Sequence, residues 1–154
     1  MTKRMIKSLT MLAIVAALSL ATAAISADAQ VSTKQSANIP FEFVVGNNEM
    51  AAGQYDIDRL TTGGLGIRIR DAKGNSTTRL TSPIVRTTAP DKGKLVFHRY
   101  GNSYFLAEVW RAGDNNGRQL VKSSLEKNAE RELASNATRN ERKYEVVEVV
   151  FAGQ

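Results

Sequence analysis

The residues of this chain that could do chemistry are few, and the most distinctive is a single histidine, His98. A histidine changes charge near neutral pH, so it is the side chain best suited to act as a general base or to contact a ligand. Four aromatic residues follow it on one predicted hairpin: Tyr100, Tyr104, Phe105 and Trp110. Aromatic rings grouped in this way can stack on a sugar or a lipid chain. We therefore treat His98, Tyr100, Phe105 and Trp110 as candidate ligand-binding residues.

A structural interpretation competes with the functional one for all four. A strand histidine can pack beside Val96 and Phe105 with its ring nitrogens hydrogen-bonded, and aromatic residues most often fill a core. The sequence favours this simpler interpretation, because no further motif supports chemistry at these positions.

Several classes of site are excluded by composition. The chain contains no cysteine, which removes thiol catalysis, thiolate metal sites and disulfides. One histidine cannot form a histidine-rich metal site, and residues 114–117 (DNNG) carry too little charge for calcium. The sequence has no G-x-S-x-G motif, no phosphate-binding P-loop and no G-x-G-x-x-G motif. We therefore predict no catalytic residue, no cofactor and no metal.

The N-terminal residues 1–29 have the composition of an export signal. Lys3, Arg4 and Lys7 precede an apolar run over residues 9–24, and Ala27-Asp28-Ala29 provides a small-residue cleavage site. Cleavage there leaves a chain that begins at Gln30 and works in the periplasm or outside the cell. The alternative is an uncleaved membrane anchor, for which the run is short, since a full span needs about 20 residues. We expect no membrane span after cleavage.

After the signal, residues 30–38 are polar and are interpreted as a flexible lead-in, and residues 39–154 as one β-rich domain. Residues 39–45 are predicted to form its first strand, and Pro83 is predicted to interrupt a strand that covers residues 76–82. Within that domain, residues 54–60 and 65–70 alternate apolar and charged side chains. A three-residue loop at residues 62–64, closed by Thr61 and Leu65, places Ile57 opposite Ile69, Asp56 opposite Arg70 and Asp58 opposite Arg68. Apolar pairs and opposite charges follow from the same register. This favours a structural role for the two aspartates over a catalytic carboxylate pair.

A second hairpin is predicted at residues 94–110. Gly101-Asn102 forms the loop, and a two-residue loop that begins with glycine favours a type II′ turn. The predicted register places His98 opposite Phe105 and assigns Val109 to the same face as His98. Because both faces are largely apolar, we expect this hairpin to be central and covered on both sides, or covered on one side and lining a cavity on the other.

Near the end of the chain the period changes. Ser123 and Glu126 have the spacing of a capping box, and Leu125, Ala129 and Leu133 form a narrow apolar stripe on a short helix. A last strand follows at residues 143–151. With about eight or nine strands at regular spacing, the sequence predicts a mainly β fold, an antiparallel small barrel or sandwich with one short helix before the last strand.

The chain also resembles a set of small exported bacterial proteins of unknown function. The resemblance rests on segments that span most of the β-rich domain: IPFEFVVG at 39–46, AGQY at 52–55, LVFHRYG at 95–101, YFL at 104–106 and VW at 109–110. It implies export and a β-rich domain, and it implies no activity and no site residues.

Three functions are compatible with these observations. The first is an exported, non-enzymatic envelope or secreted β domain that binds an envelope partner or a small apolar ligand. The second is a hydrolase or isomerase that uses His98 in a β-lined cavity. The third is a surface component that associates with itself. The net charge of +6 suits solubility, and export argues against nucleic acid as a partner.

Overall fold

A computed structural model of the chain describes residues 35–60, 65–136 and 144–152. The predicted signal segment and the first part of the predicted lead-in lie outside the described residues. Within those residues, no helix combines the length and the apolar character needed to cross a bilayer.

The described elements are ten strands and one helix. In chain order they are β1 (Gln35–Ile39), β2 (Phe43–Val45), β3 (Asn48–Met50), β4 (Gly53–Arg59), β5 (Gly66–Asp71), β6 (Ser76–Val85), β7 (Lys94–Tyr100), β8 (Ser103–Trp110), β9 (Asn116–Leu120), α1 (Ser124–Asn136) and β10 (Glu145–Val150). The mainly β fold with one short helix before the last strand is confirmed.

The strands form one sheet that curls into a barrel-like fold. Neighbouring strands follow the order β1, β4, β5, β6, β9, β8, β7 and β10, and the small β2–β3 hairpin joins β8 through β2. The pairs are antiparallel except for the short parallel contact of β2 with β8. Just after β10, the Ala152 backbone nitrogen donates to the Ser36 carbonyl oxygen at 2.8 Å. This hydrogen bond brings the two ends of the strand order together.

The register of the β4–β5 hairpin is the one predicted. Ile57 lies opposite Ile69 in the core, and Asp58 lies opposite Arg68 on the outer face. The Arg68 Nη2 atom is 2.9 Å from Asp58 Oδ2. Asp56, opposite Arg70, also accepts a hydrogen bond from the Ser36 hydroxyl of β1. The aspartates therefore serve strand pairing, while Thr61 and the predicted loop residues 62–64 lie outside the described part of the chain.

The β7–β8 hairpin follows its predicted register only near the turn. Gly101 has φ of 62° and Asn102 has no positive φ, as a type II′ turn requires. His98 lies opposite Phe105, but the register shifts by one residue between Phe97 and Val96. Because of this irregularity, the predicted assignment of β8 side chains to the two faces of the hairpin is wrong beyond Ala107. Val109 joins the core instead of sharing the face of His98, because an extra residue in β8 reverses the alternation beyond it.

Three other expectations are corrected. Residues 35–38 form part of β1 rather than a flexible lead-in, because Ala37 and Ile39 point into the core while polar residues alternate with them. Pro40 then separates β1 from β2, so residues 39–45 are not one strand. Pro83 does not interrupt β6. It is tolerated because β5 pairs only with residues 76–80, which leaves Pro83 with β9 as its single neighbour.

The hairpin formed by β7 and β8 is buried on both faces, as expected. Its inner face contributes Leu95, Phe97 and Leu106 to the main core, where Phe97 is fully buried. Its outer face carries a second buried group, made of Val96, His98, Tyr100, Phe105, Ala107 and Trp110. The residues that cover this outer face define the candidate site.

We predict that Gly117 is required for Trp110 to pack against β9. An alanine Cβ there would lie 2.7 Å from three atoms of the indole ring, so Gly117→Ala should lower the free energy of unfolding by about 1–3 kcal/mol. Gly66→Ala is the matched control, since its nearest contact would be an ordinary 3.6 Å and its free energy of unfolding should stay within about 1 kcal/mol of wild type. Urea denaturation followed by the fluorescence of the single tryptophan measures both. Equal stability of the two variants would contradict the packing argument.

Candidate functional site

The outer face of β7 presents His98 and Tyr100 to the first turn of α1. His98 and Tyr100 are two residues apart in the strand, so both side chains point to the same face. The helix begins where the Glu126 backbone nitrogen donates to the Ser123 hydroxyl at 3.1 Å, which confirms Ser123 as the N-cap. This cap aims the first turn of α1 at β7.

Glu126 does not complete the predicted capping box with its side chain. One of its carboxylate oxygens, Oε1, lies 3.0 Å from His98 Nδ1 and accepts a hydrogen bond from the Tyr100 hydroxyl at 3.3 Å. Glu126 is only 4% exposed and His98 7% exposed. A buried carboxylate is costly without such partners, so these two bonds decide where α1 rests on the sheet.

Tyr144 and Lys122 close the cluster. The Tyr144 ring is tilted by 32° over the His98 ring at a centroid distance of 4.1 Å. Lys122 Nζ is 2.9 Å from Glu130 Oε2 and 5.6 Å from the centre of the Tyr144 ring. We call His98, Tyr100, Lys122, Glu126, Glu130 and Tyr144 the polar-aromatic cluster.

Two side chains of this cluster, Tyr100 and Lys122, have pKa values above their usual ones. Desolvation, followed by the charge of Glu126, raises the pKa of Tyr100 to about 12. Burial lowers the pKa of Lys122, but its hydrogen bonds to Glu130 and Tyr100 outweigh that effect, and the pKa lies above its usual value. The Tyr100 phenol is therefore protonated and Lys122 is charged at neutral pH.

Of the four candidate ligand-binding residues, the structure brings three together. Phe105 contacts Tyr100 edge to face, with ring centroids 5.7 Å apart, beside His98. Trp110 lies at the other end of the hairpin, where Arg86 sits 4.3 Å from its ring centre and its Nε1 donates to Glu108 Oε2 at 2.6 Å. The four residues do not form one aromatic platform.

Sequence reasoning missed Glu126 and Tyr144 as partners of His98. The spacing from Ser123 predicts only a capping role for Glu126. An acidic side chain in the first turn of a helix can also point toward a neighbouring sheet. The helix face that packs carries Glu126, Ala129 and Leu133, whereas Leu125, which was predicted on this face, is 40% exposed. Tyr144 was expected inside the last strand, but that strand begins at Glu145.

The cluster has one feature of catalytic sites. A histidine whose Nδ1 is bonded to a carboxylate is oriented so that Nε2 can accept a proton. The His98 ring, however, lies beneath Tyr144 and is almost fully buried. Among the described residues, no three histidine, aspartate or glutamate side chains gather to hold a metal ion. The contacts of the cluster bind α1 and Tyr144 to the sheet.

A second candidate site is an apolar surface on the outer face of the sheet, where β4, β5, β6 and β9 lie side by side. We call Leu60, Leu80 and Val121 the apolar surface; these residues are 41%, 75% and 69% exposed. The Leu60 side chain lies over Gly66, on the face where a side chain would project, and Gly66 lies opposite Leu80. Leu80 and Val121 line one open depression of about 360 Å³.

These three side chains form a row rather than scattered exposures. Gly66 of β5 lies opposite Leu80. Thr81 lies opposite Leu120, so the next pair in the same register places Val121 opposite Leu80 on its other side. Single exposed leucines are ordinary, but neighbouring ones usually mark an interaction site.

We predict that alkaline destabilisation depends on Tyr100. Its folded pKa of about 12 lies above the ordinary 10.0, so its contribution to stability is complete below pH 10.0 and is lost as the pH rises toward about 12. In Tyr100→Phe, the free energy of unfolding should fall less over this interval, and the tyrosinate absorbance titration should lose its component near pH 12. Tyr104→Phe is the control. It removes the hydroxyl of a ring that stacks on Phe41, and the titration of this variant should keep the component near pH 12.

Comparisons with protein-family models, with curated proteins and with solved structures give no match to this chain. The resemblance to small exported bacterial proteins therefore stays a prediction from the sequence segments that carry it.

Proposed function

We propose that this chain is an exported, non-enzymatic β domain that binds a protein partner of the cell envelope through its apolar surface. The observation that carries the proposal is the side-by-side exposure of Leu60, Leu80 and Val121. Covering such side chains removes apolar area from water, which is the main driving force of association. Export is supported by the composition of residues 1–29.

A protein partner is favoured over a small apolar ligand. Small-molecule sites usually enclose most of their ligand. The depression beside Leu80 is open to solvent, and the interior of the sheet is filled by side chains such as Ile67, Leu95 and Phe97, all fully buried. A flat partner surface can cover all three neighbouring apolar side chains, whereas a small ligand would leave part of them exposed.

The partner could also be a second copy of this chain. Two copies related by a two-fold axis would bring the same surface together from both sides. This version differs from the first only in the identity of the partner, so one experiment separates them.

We predict that a photo-activatable cross-linking residue in place of Leu80 captures a discrete product in the producing cell. The same residue in place of Ser76 is the matched control, because Ser76 is exposed on the same strand, away from the apolar surface. The product should be recovered from the envelope fraction with this chain beginning at Gln30. A product of twice the chain mass identifies self-association. Absence of a product at position 80, or identical products at both positions, would overturn the proposal.

A second candidate function is a hydrolase or isomerase that uses His98. The specific observation in its favour is the 3.0 Å hydrogen bond between His98 Nδ1 and Glu126 Oε1, which orients the imidazole. If His98 is the base, His98→Ala should lose about a hundredfold or more of any turnover found in a panel of ester, amide and isomerase substrates. Circular dichroism of the variant controls for folding. Unchanged turnover in a folded variant removes the enzyme hypothesis.

A further inference from the structure

Arg79 lies beside the apolar surface, on the inner side of the open depression next to Leu80. The residues that line this depression are Gly46, Thr78, Arg79, Leu80, Leu120 and Val121, and Arg79 is the one charged residue among them. Arg79 lies opposite Ile67, which is fully buried, so its side chain leaves β6 on the inner face, whereas Leu80 projects from the outer face. The depression therefore combines apolar walls with a positive charge.

The turn between β2 and β3 holds the Arg79 guanidinium group in place. Nε and Nη2 of Arg79 both donate to the Val45 carbonyl oxygen, at 3.2 Å and 3.1 Å. Gly46 permits this close approach, because the Cβ of any other residue at this position would overlap the guanidinium group. A cation that is already held in position loses little side-chain freedom when it binds an anion.

Arg79 differs in its partners from other arginines of this fold. Arg68, Arg86 and Arg99 each lie within 3.1 Å of a carboxylate oxygen. Among the residues that the structure describes, the Val45 carbonyl oxygen is the only acceptor to which Arg79 donates. Because that carbonyl is neutral, its hydrogen bonds leave the positive charge of Arg79 without a negative partner in the described part of the chain.

We propose that the protein partner places a carboxylate against Arg79, with apolar side chains beside it that cover Leu80 and Val121. The inference rests on the proposed function, because it names what the partner presents to the apolar surface. A guanidinium group binds a carboxylate through charge-assisted hydrogen bonds. The single charge of a carboxylate also matches the single guanidinium group in this depression. An acidic side chain and a C-terminal carboxylate share this chemistry.

The first test repeats the cross-linking at position 80 in chains that lack the Arg79 charge. Arg79→Gln should weaken binding of the partner at least about tenfold, because a charge-assisted hydrogen bond is lost, and the yield of the captured product should fall. Arg131→Gln removes the same charge from an exposed arginine of α1 and should keep the wild-type yield. Circular dichroism controls for folding, since Arg79 also bonds to Val45.

A second pair of variants leaves Arg79 and its bonds to Val45 unchanged, and decides the question if Arg79→Gln does not fold. Thr78 is exposed and lines the depression. Thr78→Glu adds a negative charge that competes for Arg79 and repels the partner's carboxylate. Its yield at position 80 should be severalfold lower than that of Thr78→Gln, which has the same size without the charge. Equal yields from these two variants would overturn the inference.

Three peptides distinguish the two sources of the carboxylate. They are acetyl-SGSLVL with a free C-terminus, the same peptide with a C-terminal amide, and acetyl-SGSLEVL with a C-terminal amide. Each is titrated into the chain that begins at Gln30, and binding is followed by the backbone amide resonances of residues 46, 78–80 and 121. Binding of the first peptide at least about tenfold tighter than the second identifies a chain terminus, and the same gain for the third identifies an acidic side chain. Equal binding of all three peptides, or no shift at these residues, contradicts the inference.

The results also separate this inference from the proposed function. A product at position 80 with equal yields from folded Arg79→Gln and Arg131→Gln overturns the inference and leaves the proposed function in place. Absence of a product at position 80 in the chain with Arg79 intact overturns the proposed function, and this inference falls with it.

Discussion

The constraint on which the rest of the structure depends is that β7 and β8 are buried on both faces. Consecutive strand residues point to opposite sides, so Phe97 and His98 cannot be covered by the same layer. Phe97 is covered by the main core, but His98 needs something beyond the sheet. Helix α1 and Tyr144 supply that cover, and the Glu126 carboxylate makes it specific by bonding to both His98 and Tyr100.

The burial of a charged or polar group explains why the helix sits where it does. A helix with only Ala129 and Leu133 to bury has a weak apolar stripe and little preference for one position. A buried carboxylate has a strong preference, because a shift of α1 that broke its hydrogen bonds would leave it unsatisfied. His98, the residue that most suggests catalysis, thus has a sufficient structural reason for its position.

The apolar surface that we propose as an interaction site lies outside this hairpin, on the outer face of β4, β5, β6 and β9. Strand β6 joins these strands into one surface, because its first half pairs with β5 and its second half with β9. A filled interior and an anchored helix give this surface a rigid support, as preorganised binding requires.

Local patterns in the sequence determined the features that depend on near neighbours. The β4–β5 register, the type II′ turn at Gly101 and the cap at Ser123 follow from alternation, loop length and capping chemistry. Tertiary structure alone decided the others. They are the shift in β8 that places Val109 in the core, the partners of Glu126, the pairing of β1 with β4 and the hydrogen bond from Arg59 to Asn116. The contacts among them join residues far apart in sequence. Such contacts arise when the whole sheet closes, and no short-range period encodes them.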